Sequence, residues 1–270
     1  MRIDAHQHFW QYHAGMEWIS DEMSVIRRDF TPADLLPLLQ QSGIDGCVAV
    51  QANQSEAETD YLLDFANRYD FIRGVVGWVN LRAANIEEKL AGYRQHPHIK
   101  GFRHILQGEA PEFMLERSFV HGIGCLHKYA FTYDILVYPR HLTAVKELVA
   151  AFPQQAFVID HLAKPEIRSG KTDEWAKQLR AIAAYPNVHC KVSGMVTEAD
   201  WHNWRQADLV PYLDVVTEAF GTDRLIYGSD WPVCLVAASY GQSVDIIRNY
   251  YSAAEQEKIL GANAVQFYHL

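Results

Sequence analysis

The run Gly46–Cys47–Val48–Ala49–Val50–Gln51 decides how the rest of the chain is read. Small and apolar residues follow one another without a break, and the run ends on a polar residue. A strand with one wet face would alternate instead; an unbroken apolar run is what a strand covered on both faces requires, as in a parallel sheet. Further strand-like stretches, mostly apolar but some carrying a charged residue, follow at residues 72–79, 99–103, 132–138, 156–161, 188–193 and 224–230. Between these runs the spacing turns helical. Thr31 and Pro32 read as cap and first residue of a helix whose buried face is Leu35, Leu36, Leu38 and Leu39, with Gly43 placed to end it. Leu142, Val145, Leu148, Val149 and Phe152 fall on one face of another, and further helices are expected at 174–185, from Pro211 to 220, and at 253–260. With Ile3, Asp4 and Ala5 as a first strand, eight strands alternate with helices along 270 residues. This predicts one (β/α)8 barrel domain over residues 1–270. A doubly wound open sheet is the alternative, and the lack of a glycine-rich turn after the first strand speaks against it.

The composition narrows the partners. Formal net charge is −9 and the acidic residues are scattered, which argues against nucleic acid or an anionic membrane surface and leaves a small molecule. No stretch is long and apolar enough for a membrane span. Cys47, Cys125, Cys190 and Cys234 lie far apart, so reduced, buried thiols are expected. The chain starts without a basic segment followed by an apolar one, and a cytoplasmic location is the expectation. Oligomeric state is left open.

In a (β/α)8 barrel the chemistry sits at the C-terminal ends of the strands. Those ends collect His6 and His8 from strand 1, Gln51 from strand 2, Trp78 from strand 3, and Arg103 and His104 from strand 4. Strand 5 adds Tyr138, strand 6 adds His161 with Lys164 close behind, strand 7 adds Ser193, and strand 8 adds Asp230 and Trp231. His6 and His8, two apart in an extended chain, point to one face. A closed barrel would gather three imidazoles and a carboxylate that are distant in sequence. Structural roles compete at each position: Asp230 suits a turn before Pro232, Arg103 could pair with a barrel carboxylate, and Trp78 and Trp231 could be core.

This set resembles the amidohydrolase superfamily, with its His–x–His on strand 1, His on strand 6 and Asp on strand 8. Further stretches, Lys100–Gly101–Phe102–Arg103–His104, Asp160–His161–Leu162–Ala163–Lys164–Pro165, Gly228–Ser229–Asp230–Trp231–Pro232 and the C-terminal Asn263–Ala264 with Phe267–Tyr268, are similar to its lactonase branch. The resemblance implies hydrolysis of a small lactone, with a sugar lactone favoured. Strand 4 ends in Arg103, where two-metal members carry a bridging Lys or Glu. A guanidinium has no lone pair for a cation, so a two-metal site is not expected. The resemblance implies that no metal is required, with a single divalent ion such as Zn²⁺ on His6, His8, His161 and Asp230 as the option. Asp230 would serve as general base, and His6, His8 and His161 would face the carbonyl oxygen. Arg103, His104, Lys164, Gln51 and Tyr138 would bind substrate oxygens, with Trp10, Trp78 and Trp231 as pocket walls. Few Arg residues stand at the strand ends, which suits a neutral lactone better than a dicarboxylate. A metal-dependent decarboxylase of the same superfamily and an inactive ligand-binding barrel are the competing readings.

Overall fold

The computed structural model describes residues 1–270. Eight strands run parallel in sequence order: β1 (Ile3–Gln7), β2 (Gly46–Val50), β3 (Ile72–Gly77), β4 (Ile99–Ile105), β5 (Thr132–Leu136), β6 (Phe157–Ile159), β7 (Val188–Val192) and β8 (Leu225–Tyr227). Helices α1 (Pro32–Gln41), α2 (Glu56–Arg68), α3 (Ile86–Tyr93), α4 (Arg117–Leu126), α5 (Leu142–Ala151), α6 (Asp173–Ala183), α7 (Gln206–Phe220) and α8 (Tyr240–Tyr250) surround them. The expected barrel is the observed one.

Local sequence explains most boundaries. The Asp34 carboxylate accepts from both the backbone N–H of Thr31 (2.9 Å) and its hydroxyl (2.7 Å), which fixes the start of α1. Helix α7 starts well before Pro211, because the Asp208 carboxylate accepts from the Arg205 N–H at 2.8 Å and sets the first turn there. Pro211 falls inside the helix rather than opening it. The single helix expected at 253–260 is instead α9 (Ala253–Glu257), a π-helical turn (Lys258–Ala262) and α10 (Asn263–Tyr268).

The barrel closes between β1 and the chain leaving β8. The Asp230 N–H donates to the His6 carbonyl at 2.8 Å, and the His8 N–H to the Trp231 carbonyl at 2.7 Å. Gly228 makes this seam fit, since a Cβ there would lie 2.3 Å from Cβ of His6. Ile3, Ala5, Val48, Val50, Val76, Val158 and Ile226 form an apolar floor against Ala264, Phe267 and Tyr268 of α10, which plugs the bottom. The β1–β2 register shifts between Asp4 and Gln7. Such a bulge re-aims side chains: Ala5 belongs to the floor, while His6 beside it meets the charged residues above. No helix is long and apolar enough to cross a membrane, and all four cysteines are free and buried.

Candidate active site

Above the floor the interior turns from apolar to ionic. Lys191 of β7, fully buried, lies 2.5 Å from Asp134 Oδ2, 3.0 Å from Asp160 Oδ1 and 3.1 Å from Nδ1 of His6. Arg103 Nη1 lies 3.0 Å from Asp160 Oδ2 and 3.2 Å from Nε2 of His6, and its Nη2 donates to the Gln51 carbonyl. Tyr268 of the plug donates its hydroxyl to Asp134 at 2.9 Å. Buried charges persist only when paired, and here two cations sit among the carboxylates. Burial pushes Asp134 up to about 6 despite Lys191. Burial works the same way on Asp160, but Lys191, His6 and Arg103 prevail and hold it well below the usual carboxylate range. Burial also drives His6 well below the usual imidazole value, so it is neutral.

Asp230 Oδ1 is ringed by three imidazoles, with Nε2 of His8 at 3.4 Å, of His161 at 3.8 Å and of His6 at 3.9 Å. Burial would raise the Asp230 carboxyl, yet His161, His8 and His6 together hold it well below the usual range. His161 is pushed down to about 4, first by burial. The His8 Nδ1–H donates to the Val50 carbonyl at 2.8 Å, because a carbonyl can only accept, so Nε2 is the nitrogen that faces Asp230. His161 Nδ1 meets the Ser193 hydroxyl at 2.8 Å, which can donate or accept, so either tautomer is served.

The backbone is bent to aim these groups. After β6 four residues in succession, His161, Leu162, Ala163 and Lys164, take the left-handed conformation with φ from +50° to +58°. That region costs roughly 1–2 kcal/mol for each non-glycine residue. Partial compensation comes from the Lys164 N–H to His161 carbonyl bond (2.7 Å) and from Trp175 Nε1, which donates to the Leu162 carbonyl at 2.7 Å. Asp230 is also left-handed, at φ +58°. Its neighbour Ser229 is tied to Asp4, whose carboxylate accepts from the Ser229 N–H (2.9 Å) and hydroxyl (2.6 Å).

A cavity of about 470 Å³ opens over this cluster. Of the residues expected at the site, His8, Arg103, Tyr138, His161, Lys164 and Asp230 line it. His6 lies directly beneath. The others do not reach it. Gln51 is buried and supports Arg103, donating its Nε2 to the Arg103 carbonyl at 3.2 Å. His104 stacks on Phe113 and receives the Trp78 indole N–H at 3.3 Å, away from the cavity. Trp10 packs on Phe30, and Trp231 is wedged between Phe9 and Phe30 as core. The aromatic walls come instead from Trp18 and Trp201, with Gln107, Thr197 and Glu198 as polar neighbours. These loop residues carry no periodic signal in sequence. Lys191, Asp134 and Asp4 did carry one, as charged residues in the middle of apolar strands, where only a paired charge survives.

The donor set suits one divalent cation. Ligand atoms of His6, His161 and Asp230 lie within 4.8 Å of one another, and His8, just outside that group, has the tautomer of a metal-bound imidazole whose other nitrogen is anchored on a carbonyl. Arg103 caps Nε2 of His6 and would have to yield there.

Comparison with known proteins agrees with this architecture. The chain is 39% identical over 286 residues to an L-fucono-1,5-lactonase of Burkholderia multivorans, spanning 100% of this chain and 96% of that one. It is 27% identical over 159 residues to an L-rhamnono-gamma-lactonase of Scheffersomyces stipitis, covering 52% of this chain and 47% of the other. A crystal structure of a Burkholderia multivorans amidohydrolase with bound zinc superimposes with a TM-score of 0.94 at 40% identity, over 100% of this chain and 99% of that one. The zinc-bound relative and the donor set both weigh against the expectation that no metal is required, and favour its single-ion option. The amidohydrolase family model matches residues 3–270, and the chain belongs to that family.

Proposed function

We propose that this protein hydrolyses a neutral sugar lactone to the hydroxy acid, with L-fucono-1,5-lactone as the first candidate. The lactonase relatives support the reaction class. The observation that carries the choice of a neutral substrate is the state of the cations facing the cavity. Arg103 is already engaged by Asp160, His6 and the Gln51 carbonyl, and Lys164 by Glu198 at 2.6 Å. Neither is left over for a substrate carboxylate, whereas hydroxyls can share donors and acceptors with Gln107, Tyr138, Thr197 and Glu198 on the walls.

The chemistry follows from the carboxylate and its imidazoles. Asp230 is ionised at neutral pH and orients the attacking water at Oδ1. It takes the proton as oxygen bonds to the lactone carbon, with His8 Nε2 3.4 Å away on the same oxygen. His161 offers an N–H donor toward the developing oxyanion, a contribution of roughly 3–4 kcal/mol. The ring C–O bond then breaks, and the proton returns to the ring oxygen as it becomes the product hydroxyl. A divalent ion would be held by His6, His161 and Asp230, with His8 adjacent. Bound there, it would acidify water and polarise the carbonyl. The same donor set would serve a metal-dependent decarboxylase, but that substrate carries a carboxylate for which Arg103 and Lys164 leave no free side-chain cation.

A pH-stat assay over neutral aldonolactones, dicarboxylate lactones and aromatic carboxylates tests the reading. Acid release from the neutral sugar lactones at enzymatic rates is expected. Turnover confined to dicarboxylate lactones, or decarboxylation without lactonase activity, would overturn it.

A further inference from the structure

Away from the cavity, on the outside of the barrel, three potential metal ligands of different chemistry meet between α3 and α4. His121 and Cys125 are four apart on α4 and so share a face. Glu87 of α3 faces them. Cys125 Sγ lies 3.7 Å from His121 Nε2 and 3.7 Å from Glu87 Oε1, and the three ligand atoms all fall within 4.8 Å of one another. We propose that Glu87, His121 and Cys125 form a second, separate site for a borderline-soft divalent cation such as Zn²⁺, clipping α3 to α4.

The separations are those of a coordination sphere. Zinc bonds of about 2.3 Å to sulfur and about 2.0 Å to nitrogen or oxygen, at tetrahedral angles, put S···N and S···O about 3.5 Å apart. Two of the three edges already stand near that length. The third, between His121 and Glu87, closes by turning the exposed His121 ring. As thiol hydrogen bonds the same contacts would be long and weak. Sulfur, imidazole and carboxylate together select zinc over calcium or magnesium.

Two neighbours bear on occupancy. Lys128 Nζ pairs with Glu87 Oε1 at 2.9 Å, but its side chain is 59% exposed and free to swing to the other oxygen or into water. Cys125 is buried and reached through His121 and Glu87, so an ion entering between them meets its sulfur last; the thiol proton leaves to solvent as the metal–sulfur bond forms. Solvent supplies the fourth ligand.

Co²⁺ is the probe, because a thiolate ligand gives it a near-ultraviolet charge-transfer band that nitrogen and oxygen ligands do not. The cavity cluster contains no sulfur, so the band reports this site alone. The full chain titrated with Co²⁺ is expected to develop the band to saturation, and Zn²⁺ to bleach it. Asp230→Asn should leave it intact, and Cys125→Ser should abolish it with lactone turnover unchanged. His121→Ala, a surface change that spares the core, should weaken Co²⁺ binding at least 10-fold. Absence of the band in the unmodified chain, its survival in Cys125→Ser, full-strength binding in His121→Ala, or its loss in Asp230→Asn would overturn the proposal.

Discussion

Lys191 Nζ stands 3.1 Å from Nδ1 of His6, on the side of the imidazole opposite Arg103, whose Nη1 lies 3.2 Å from Nε2. A neutral ring accepts from only one of these cations: Nε2 takes the Arg103 N–H, the Nδ1–H faces Asp160 Oδ1 at 3.3 Å, and Asp160 bridges the two cations with one oxygen on each. This clamp orients His6 under Asp230 and depends on every charge being present. Lys191→Met removes one cation and leaves Asp134 with only the Tyr268 hydroxyl, while Asp160 keeps Arg103. Loss of one partner of a buried ion pair costs about 3–5 kcal/mol. Denaturant titration should register a loss of that order, and a change below about 1 kcal/mol would mean that the network contributes little.

His161 gives stability a pH dependence of defined sign. Its imidazole titrates near 4 in the folded protein, against about 6.5 in the unfolded chain. As pH falls from 6.5 toward 4 the unfolded chain takes up a proton and the folded one does not, so stability drains away across that window. His161→Asn lacks this term. The stability difference between wild type and variant should therefore shift against the wild type, by up to about 3 kcal/mol, between pH 7 and pH 4. A difference that stays constant with pH would contradict the assignment.

Gly194 has φ +59°, and a Cβ there would sit 2.5 Å from Nδ1 of His161. Gly194→Ala must push the imidazole off its bond to Ser193. A misplacement of about 1 Å can cost about 100-fold in rate, so kcat should fall by that order while circular dichroism stays native. Unchanged kcat would show that His161 need not hold this position.

The two kinds of tryptophan should separate cleanly. Trp201 lines the cavity, with its indole N–H held by the Thr197 carbonyl at 2.8 Å. Trp201→Ala should raise KM about 10-fold, the worth of one ring contact of about 1.4 kcal/mol, and leave stability nearly unchanged. Trp231, fully buried, should behave in the opposite way, with Trp231→Ala costing about 3–5 kcal/mol of stability. Steady-state kinetics and thermal melts on both variants decide, and a stability loss at Trp201 matching that at Trp231 would refute the distinction.

Much of this was legible in the chain. Apolar runs marked most of the strands because parallel strands are covered on both faces, and the polar strand ends pointed to His6, His8, His161 and Asp230. What escaped has physical causes. Strand ends alone do not say whether a residue faces the interior or the helices. So Trp231 and Trp78, both beyond strand ends, looked like pocket walls although they pack elsewhere, and Gln51 proved to support Arg103 from behind. Trp18 and Trp201 belong to irregular loops, whose course depends on tertiary packing rather than on periodicity. The left-handed turn from His161 to Lys164 contains no glycine to announce it.

In the proposed mechanism Asp230 receives the proton of the attacking water, and replacing it by Asn is the most direct test. Asp230→Asn keeps the shape but removes the charge and the basicity. With L-fucono-1,5-lactone as substrate, kcat should fall by about 10³-fold, as loss of a general base implies, while the substrate still binds with Kd within a few-fold of wild type. A kcat within about 5-fold of wild type, far short of the roughly 10²–10⁴-fold loss expected on removing a base, would contradict the role of Asp230 as general base.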